Sequence, residues 1–168
     1  MNEKNQDGKT ALIWASRKGN LEIVSNLIEK GADINIKTTD NWTSLLFAVR
    51  GGHSEIVQIL LENNADIEAK TNDGWTPLIL AASKGDIENV KLLIKYKADI
   101  NAKDIFGFTP LHWAVRSNNL PVIELLVSNG ADINAKAKDG KTALMHAEKL
   151  GRYDIINLLK SALLQNEI

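Results

Sequence analysis

The sequence predicts an all-α solenoid, a stack of one small helix-turn-helix unit whose copies are joined by short β-hairpin-like loops. The first observation is a period. Thr10, Thr43, Thr76, Thr109 and Thr142 recur every 33 residues without interruption, and the Leu12, Leu45, Leu78, Leu111, Leu144 and Ala15, Ala48, Ala81, Ala114, Ala147 series keep the same interval. The second is that each period holds two short apolar stripes at i, i+3 and i+4, such as Leu78, Ala81, Ala82 and Val24, Leu27, Ile28. The third is the Asp, Asn and Gly at fixed offsets between them, as in GADINIKTTDNWT and KADINAKDIFGFT, which read as extended turns or short hairpins. Such a stack offers long faces and seldom a closed catalytic pocket.

Each element has its own start and stop. Thr76 and Thr109 stand as N-caps with Pro77 and Pro110 at the first helical position, where a missing N–H costs nothing. Gly19, Gly52, Gly85 and Gly151 end the first helix in the left-handed conformation. Asn20, Asp86 and Asn119 are caps for the second helix, Glu22, Glu55, Glu88 and Asp154 place negative charge in its first turn, and Gly31 and Gly130 close it. Helices of about eight to ten residues are too short to persist alone, so each pair depends on its neighbours. The alanines of the first helix allow close helix approach.

Five units follow, at about 5–37, 38–70, 71–103, 104–136 and 137–168, in a single domain spanning 1–168 with no linker. Both ends read as capped. Asn26 replaces the apolar residue of Ile59, Leu92, Leu125 and Leu158, and Lys160 replaces that of Ile28, Leu61, Ile94 and Val127. The last unit runs on as KSALLQNEI, an extended helix with a fraying tail. At 44% hydrophobic, 24% charged and net charge −1, the chain has material for an extended core and no global field to draw nucleic acid or anionic membrane. It has no cysteine, so thiolate metal sites and cysteine catalysis are excluded; the start MNEKNQDGKT lacks a signal-peptide h-region, and the expected location is cytoplasmic. No apolar run reaches the roughly 20 residues of a membrane span.

The stretches DGWTPLILAASKGDIENVKLLIKYKADINAK (Asp73 to Lys103) and FGFTPLHWAVRSNNLPVIELLVSNGADINAK (Phe106 to Lys136) closely resemble the ankyrin repeat, with its TPLHxAA start, Gly stop, xxVxxLL helix and GADxN turn. Ser44 departs from the signature proline, Asn89 from an apolar helix position and Asn118 from the glycine. The resemblance implies L-shaped units whose first helices and hairpins line a concave groove, with the second helices forming the convex back. Binding in this family usually uses the groove.

Carried over position by position, the resemblance places Lys9, Trp42, Trp75, Phe108 and Lys141 near the hairpin tips, with Ile105 and Phe106 adding apolar surface in the fourth hairpin. Residues at a turn tip have little to pack against, so Trp42, Trp75 and Phe108 are expected to face a partner. Trp14, Phe47, Leu80, Trp113 and His146 fall at the groove edge of the first helix, where Trp14, Phe47 and Trp113 are expected to cover the hairpin of their own unit. Arg17, Arg50 and Arg116 stand beside these aromatics, and because arginine and tryptophan are enriched at interface hot spots, they are expected, with Trp14, Phe47, Trp113 and Phe106, to belong to the partner-binding surface together with Trp42, Trp75 and Phe108. The Lys37, Lys70, Lys103, Lys136 ladder reads as solubilising, offset by Asp33, Asp66, Asp99 and Asp132.

Catalytic signals are weak. The GKT at Gly8 to Thr10 and at Gly140 to Thr142 lacks the glycine five positions earlier that a phosphate loop requires, since Glu3 and Ala135 stand there. His53, His112 and His146 share no metal-ligand spacing, and no serine lies in a GxSxG elbow. His112 occupies the histidine of TPLH, which the resemblance assigns to hydrogen bonding between turns. The expected function is therefore non-enzymatic: a scaffold that recognises a protein partner through groove and hairpin tips, monomeric when free, without cofactor or metal. The alternative is a regulatory or inhibitory subunit that blocks a partner enzyme.

Overall fold

The computed structural model describes residues 2–165. Ten helices appear among them: α1 (Ala11–Lys18), α2 (Leu21–Glu29), α3 (Ser44–Gly51), α4 (Ser54–Glu62), α5 (Pro77–Lys84), α6 (Ile87–Lys95), α7 (Pro110–Arg116), α8 (Leu120–Ser128), α9 (Ala143–Lys149) and α10 (Tyr153–Gln165). The helices pair within each unit and stack between units in two layers. α1, α3, α5, α7 and α9 form one row; α2, α4, α6, α8 and α10 form the other. This is the expected all-α solenoid.

Local chemistry explains the boundaries. The hydroxyl of each of Thr10, Thr43, Thr76, Thr109 and Thr142 accepts the backbone N–H three residues on, which satisfies one of the free donors at a helix start. The side-chain oxygens of Asn20, Asp86 and Asn119 cap α2, α6 and α8 in the same way, as the sequence suggests. His53 makes no such bond at the start of α4. Its ring instead occupies the space beside Gly19 and Gly51, where a Cβ would collide with it.

The core runs between the layers as one continuous strip. Ala48, Ala81, Ala114 and Ala147 are fully buried in the first row, and Leu60, Leu93, Leu126 and Leu159 in the second. A residue larger than alanine would force the row apart.

The connecting loops are hairpin-like, and no strand appears among the described residues. In each, one backbone N–H returns to the carbonyl four residues on: Asn5 to Lys9, Thr38 to Trp42, Thr71 to Trp75, Asp104 to Phe108 and Ala137 to Lys141. The bend is made by a left-handed residue, Gly8, Asn41, Gly74, Gly107 or Gly140. Adjacent tips are tied by further backbone bonds, Thr39 N–H to Asp7, Ile105 N–H to Asp73 and Lys138 N–H to Phe106. Between the second and third tips, the Asn41 amide donates to the Asn72 side-chain oxygen at 2.7 Å.

The expected capping of the ends is only partial. Asn26 and Lys160 are exposed as predicted, and Lys160 pairs with Glu148 at 3.0 Å. Yet Ile23 remains 46% exposed at one end and Met145 48% at the other. Their equivalents in internal units, Ile56, Asn89 and Val122 for the first and Leu46, Ile79 and His112 for the second, are covered by the next unit. Lacking that neighbour, the terminal units leave these positions open. The extended last helix is present as α10, 13 residues long; its fraying tail, at 166–168, lies outside the described residues.

Candidate functional site

The first-row helices and the hairpins line one face, and on it the aromatic and arginine rows interlock. Arg17 lies over Trp14 (5.4 Å to the ring centre) and Phe47 (5.9 Å), with Lys9 on Trp14 as well (5.3 Å). Trp42 packs on Phe47 at 4.9 Å and is covered by Arg50 at 5.1 Å. Trp75 packs on Trp113 at 4.5 Å, Phe108 stands edge-on to Trp113 at 5.7 Å, and Arg116 covers both Phe108 and Trp113 at 5.5 and 4.9 Å. Two aromatic clusters result, each roofed by guanidinium groups in cation–π geometry. Leu80 and Ser83 of α5 interrupt the arginine–aromatic pattern in the middle unit.

Trp42, Trp75 and Phe108 do not stand free at the tips as expected. All three are half-buried, and Trp42 and Trp75 pack against the core. The reason is the returning arm of the hairpin. The Trp42 and Trp75 N–H groups donate to the hydroxyls of Thr38 and Thr71, and that of Phe108 to the Asp104 carboxylate, folding each ring back towards the first helix. The free tip residues are Ile105 and Phe106, 43% and 55% exposed. The groove-edge rings also differ among themselves. Phe47 is buried on the Trp42 of its own unit, Trp113 reaches the Trp75 of the preceding unit, and Trp14 is 39% exposed.

Asp104 organises the fourth hairpin, a role its sequence position does not announce. This buried carboxylate accepts the N–H groups of Phe106 and Phe108 and, at 3.0 Å, the indole N–H of Trp113. The Asp33, Asp66, Asp99 and Asp132 series also does something other than offset the lysines. Each accepts the N–H two residues on and so closes its own turn. Asn35 and Asn101 then bridge units, accepting the N–H of Asp66 and Asp132 and donating to the carbonyls of Asn64 and Gly130. Glu68, at the same position, accepts the N–H of Asp99 but has no proton to donate; burial pushes its carboxyl above the usual range.

The histidines divide into two roles. His112 is buried, and its Nδ1 accepts the Thr109 N–H while its Nε2 lies 3.2 Å from the Lys141 carbonyl. A carbonyl only accepts, so the proton sits on Nε2 and His112 ties the fourth unit to the fifth. Burial lowers its pKa below the ordinary value. His146 sits 5.9 Å away, edge-on to Phe108, and is likewise lowered, first by burial and then by Lys141, Arg116 and Lys149, against the pull of Asp139. No group of three metal-ligating side chains is found among the described residues.

Three stretches of the chain, residues 1–71, 66–137 and 104–166, match the family model described as ankyrin repeats. The chain belongs to the ankyrin-repeat family. No curated protein matches it in sequence. Ankyrin repeats generally mediate protein–protein interaction without catalysis. In this ankyrin array two cavities open beside the aromatic clusters. One, of about 290 Å³, is lined by Lys9, Arg17, Trp42, Phe47 and Arg50 together with Asp7, Thr38, Thr39 and Asp40 of the first two tips. The other, of about 420 Å³, is lined by Phe108, Arg116, Asp139, Lys141, His146, Lys149, Leu150 and Arg152. Among the described residues of the array, no helix is long and apolar enough to cross a membrane.

Proposed function

We propose that this ankyrin array is a non-enzymatic cytoplasmic scaffold, a single domain and a monomer when free, that binds a partner protein through its groove and the apolar tip of its fourth hairpin. The observation that carries this reading is the guanidinium roof over two aromatic clusters. The guanidinium groups of Arg17, Arg50 and Arg116 rest on aromatic rings, which holds them ready for a partner's carboxylates. Trp14 and Phe106 supply the exposed apolar anchors, and Trp42, Phe47, Trp75, Phe108 and Trp113 form the platform beneath. Arginine and aromatic residues together make the usual interface hot spots.

The test is affinity capture from the source lysate with the native array and, in parallel, Trp14→Ala/Arg50→Ala and Phe106→Ala arrays. Partners lost from these variants but retained by Lys91→Ala, exposed on the second-row helix α6, support the reading. Equal recovery by every variant moves the binding surface to the convex helices.

A further inference from the structure

The larger cavity, at the C-terminal end of the groove, has a charge imbalance that the aromatic clusters do not explain. Arg116, Lys141, Lys149 and Arg152 converge on it, and among the described residues Asp139 is the only carboxylate in its lining. Asp139 is already engaged: it accepts the Lys141 N–H at 3.0 Å and pairs with the Lys141 ammonium at 3.2 Å. Arg152 reaches across from the start of α10, and its Nη2 donates to the Arg116 carbonyl at 3.1 Å. Its Nη1 is buried and has no hydrogen-bond partner among the described residues, and the same is true of Nε2 of His146. Nη1 of Arg152 is a permanently cationic donor, costly to leave without an acceptor, and an acceptor from outside would satisfy it, whereas Nε2 of His146 lies 3.7 Å from the Asp139 carboxylate.

Resting on the groove reading above, we infer that this cavity receives a phosphate monoester on a side chain of the partner segment, with Phe108 as its aromatic floor. A dianion balances the surplus of cations where a single carboxylate leaves most of it uncompensated, and guanidinium forks match phosphate oxygens in bidentate fashion. The edge of the cavity is apolar at Leu150, half exposed, and the Phe108 ring contributes to the lining, which suits an aryl phosphate ester. The charged and titratable groups around His146 are Asp139 and Lys141 on the hairpin, Arg116 and His112 on α7, Lys149 on α9 and Arg152 before α10. Of these only Asp139 favours its protonation, so an arriving dianion becomes the dominant influence and draws a proton onto the ring.

Phenyl phosphate is the first probe, titrated into the full chain at about pH 7.5 while the imidazole resonances are followed by NMR. Saturable movement of the His146 signals and a rise in its midpoint are expected, with benzoate at least ten-fold weaker. Lys149→Glu, at an exposed position, and Arg152→Gln should each weaken binding ten-fold or more, and Lys91→Ala, exposed on the second-row helix α6, should leave it unchanged. No saturable shift at millimolar phenyl phosphate overturns the inference, as does an unchanged affinity in Lys149→Glu or equal binding of benzoate. A phosphotyrosine peptide should bind more tightly than phenyl phosphate. Equal affinity would mean a free phosphate ester instead, and overturns the assignment to a partner segment. Failure here leaves capture by the Trp14/Arg50 surface intact, whereas failure of the groove reading shows in that capture and not in the phenyl phosphate titration.

Discussion

At the scale of single residues, two departures of this chain from its own repeat, at Lys97 and Asn89, carry an identifiable cost. Lys97 adopts φ of 69° at the end of α6, where the first and fourth units place Gly31 and Gly130. A side chain in that conformation costs roughly 1–2 kcal/mol, offset by the extra chain entropy a glycine loses on folding. Lys97→Gly should therefore raise stability by about 0.5–1 kcal/mol, seen as a higher denaturant midpoint with unchanged slope. Asn89 is the second case. It is fully buried, its amide donates to Asp86 at 2.7 Å, and its side-chain oxygen has no partner among the described residues. Val122 and Ile56 fill the same position in neighbouring units. Asn89→Val removes the unpaired oxygen and should stabilise by about 1 kcal/mol or more; a loss of stability would mean that the Asp86–Asn89 bond outweighs it.

At the scale of elements, caps and close approaches decide the outcome. His112 holds the start of α7 and reaches the next hairpin, and both bonds require the neutral ring. Its folded pKa lies below the unfolded value near 6.5, so the folded state binds fewer protons, and His146 shifts in the same direction. The associated stability is complete above about pH 6.5 and is lost as the pH falls from there towards the lowered folded pKa. Glu68, raised, contributes the opposite slope nearer the carboxylate range. Comparing native and His112→Gln arrays by urea unfolding at about pH 7.5 and 5.5 isolates the histidine; the variant should lose part of the acid sensitivity. Within the first row, Ala81 is fully buried and Lys84 exposed, its ammonium on the Arg50 carbonyl. Ala81→Leu should cost about 1–3 kcal/mol by overpacking, against a change within about 0.5 kcal/mol for Lys84→Leu, and equal effects would place the wrong face in the core.

For the whole molecule, the packing of the aromatics separates stability from binding. Trp75 is half-buried on Trp113 and the core, so truncating it removes inter-unit packing as well as platform. Trp75→Ala should destabilise the central stack by about 2 kcal/mol or more, and in a repeat array that loss spreads to the neighbouring units. Trp14 is the reverse. At 39% exposure it should be quenched readily by acrylamide, while Trp42 and Trp75 respond less, and Trp14→Ala should leave the unfolding midpoint nearly unchanged. Stern–Volmer plots on single-tryptophan variants check the order; Trp75 quenching as readily as Trp14 would contradict the half-buried platform. Because guanidinium groups roof the platform, Arg50→Ala should slow partner association and reduce its salt dependence more than it changes dissociation.

The period, the pairing of short helices, the threonine caps, the glycine stops and the family are all legible along the chain. Apart from the period, all are read within one unit, from caps and stops that act over three or four residues and from stripes on one helix. Those signals are local, so repetition makes them legible. Which way the aromatic rings face, and which groups meet across units, follow from the folded stack alone. The bonds responsible join residues far apart in sequence, as His112 does with Lys141, Arg152 with Arg116 and Asn35 with Asn64. The row of Trp42, Trp75 and Phe108 was visible as a row, but its return towards α3, α5 and α7 rests on Thr38, Thr71 and Asp104, whose side chains close the hairpins. The basic cavity was invisible for the same reason: Arg116, Lys141 and Arg152 are separate surface charges along the chain, and stacking two units brings them to one place.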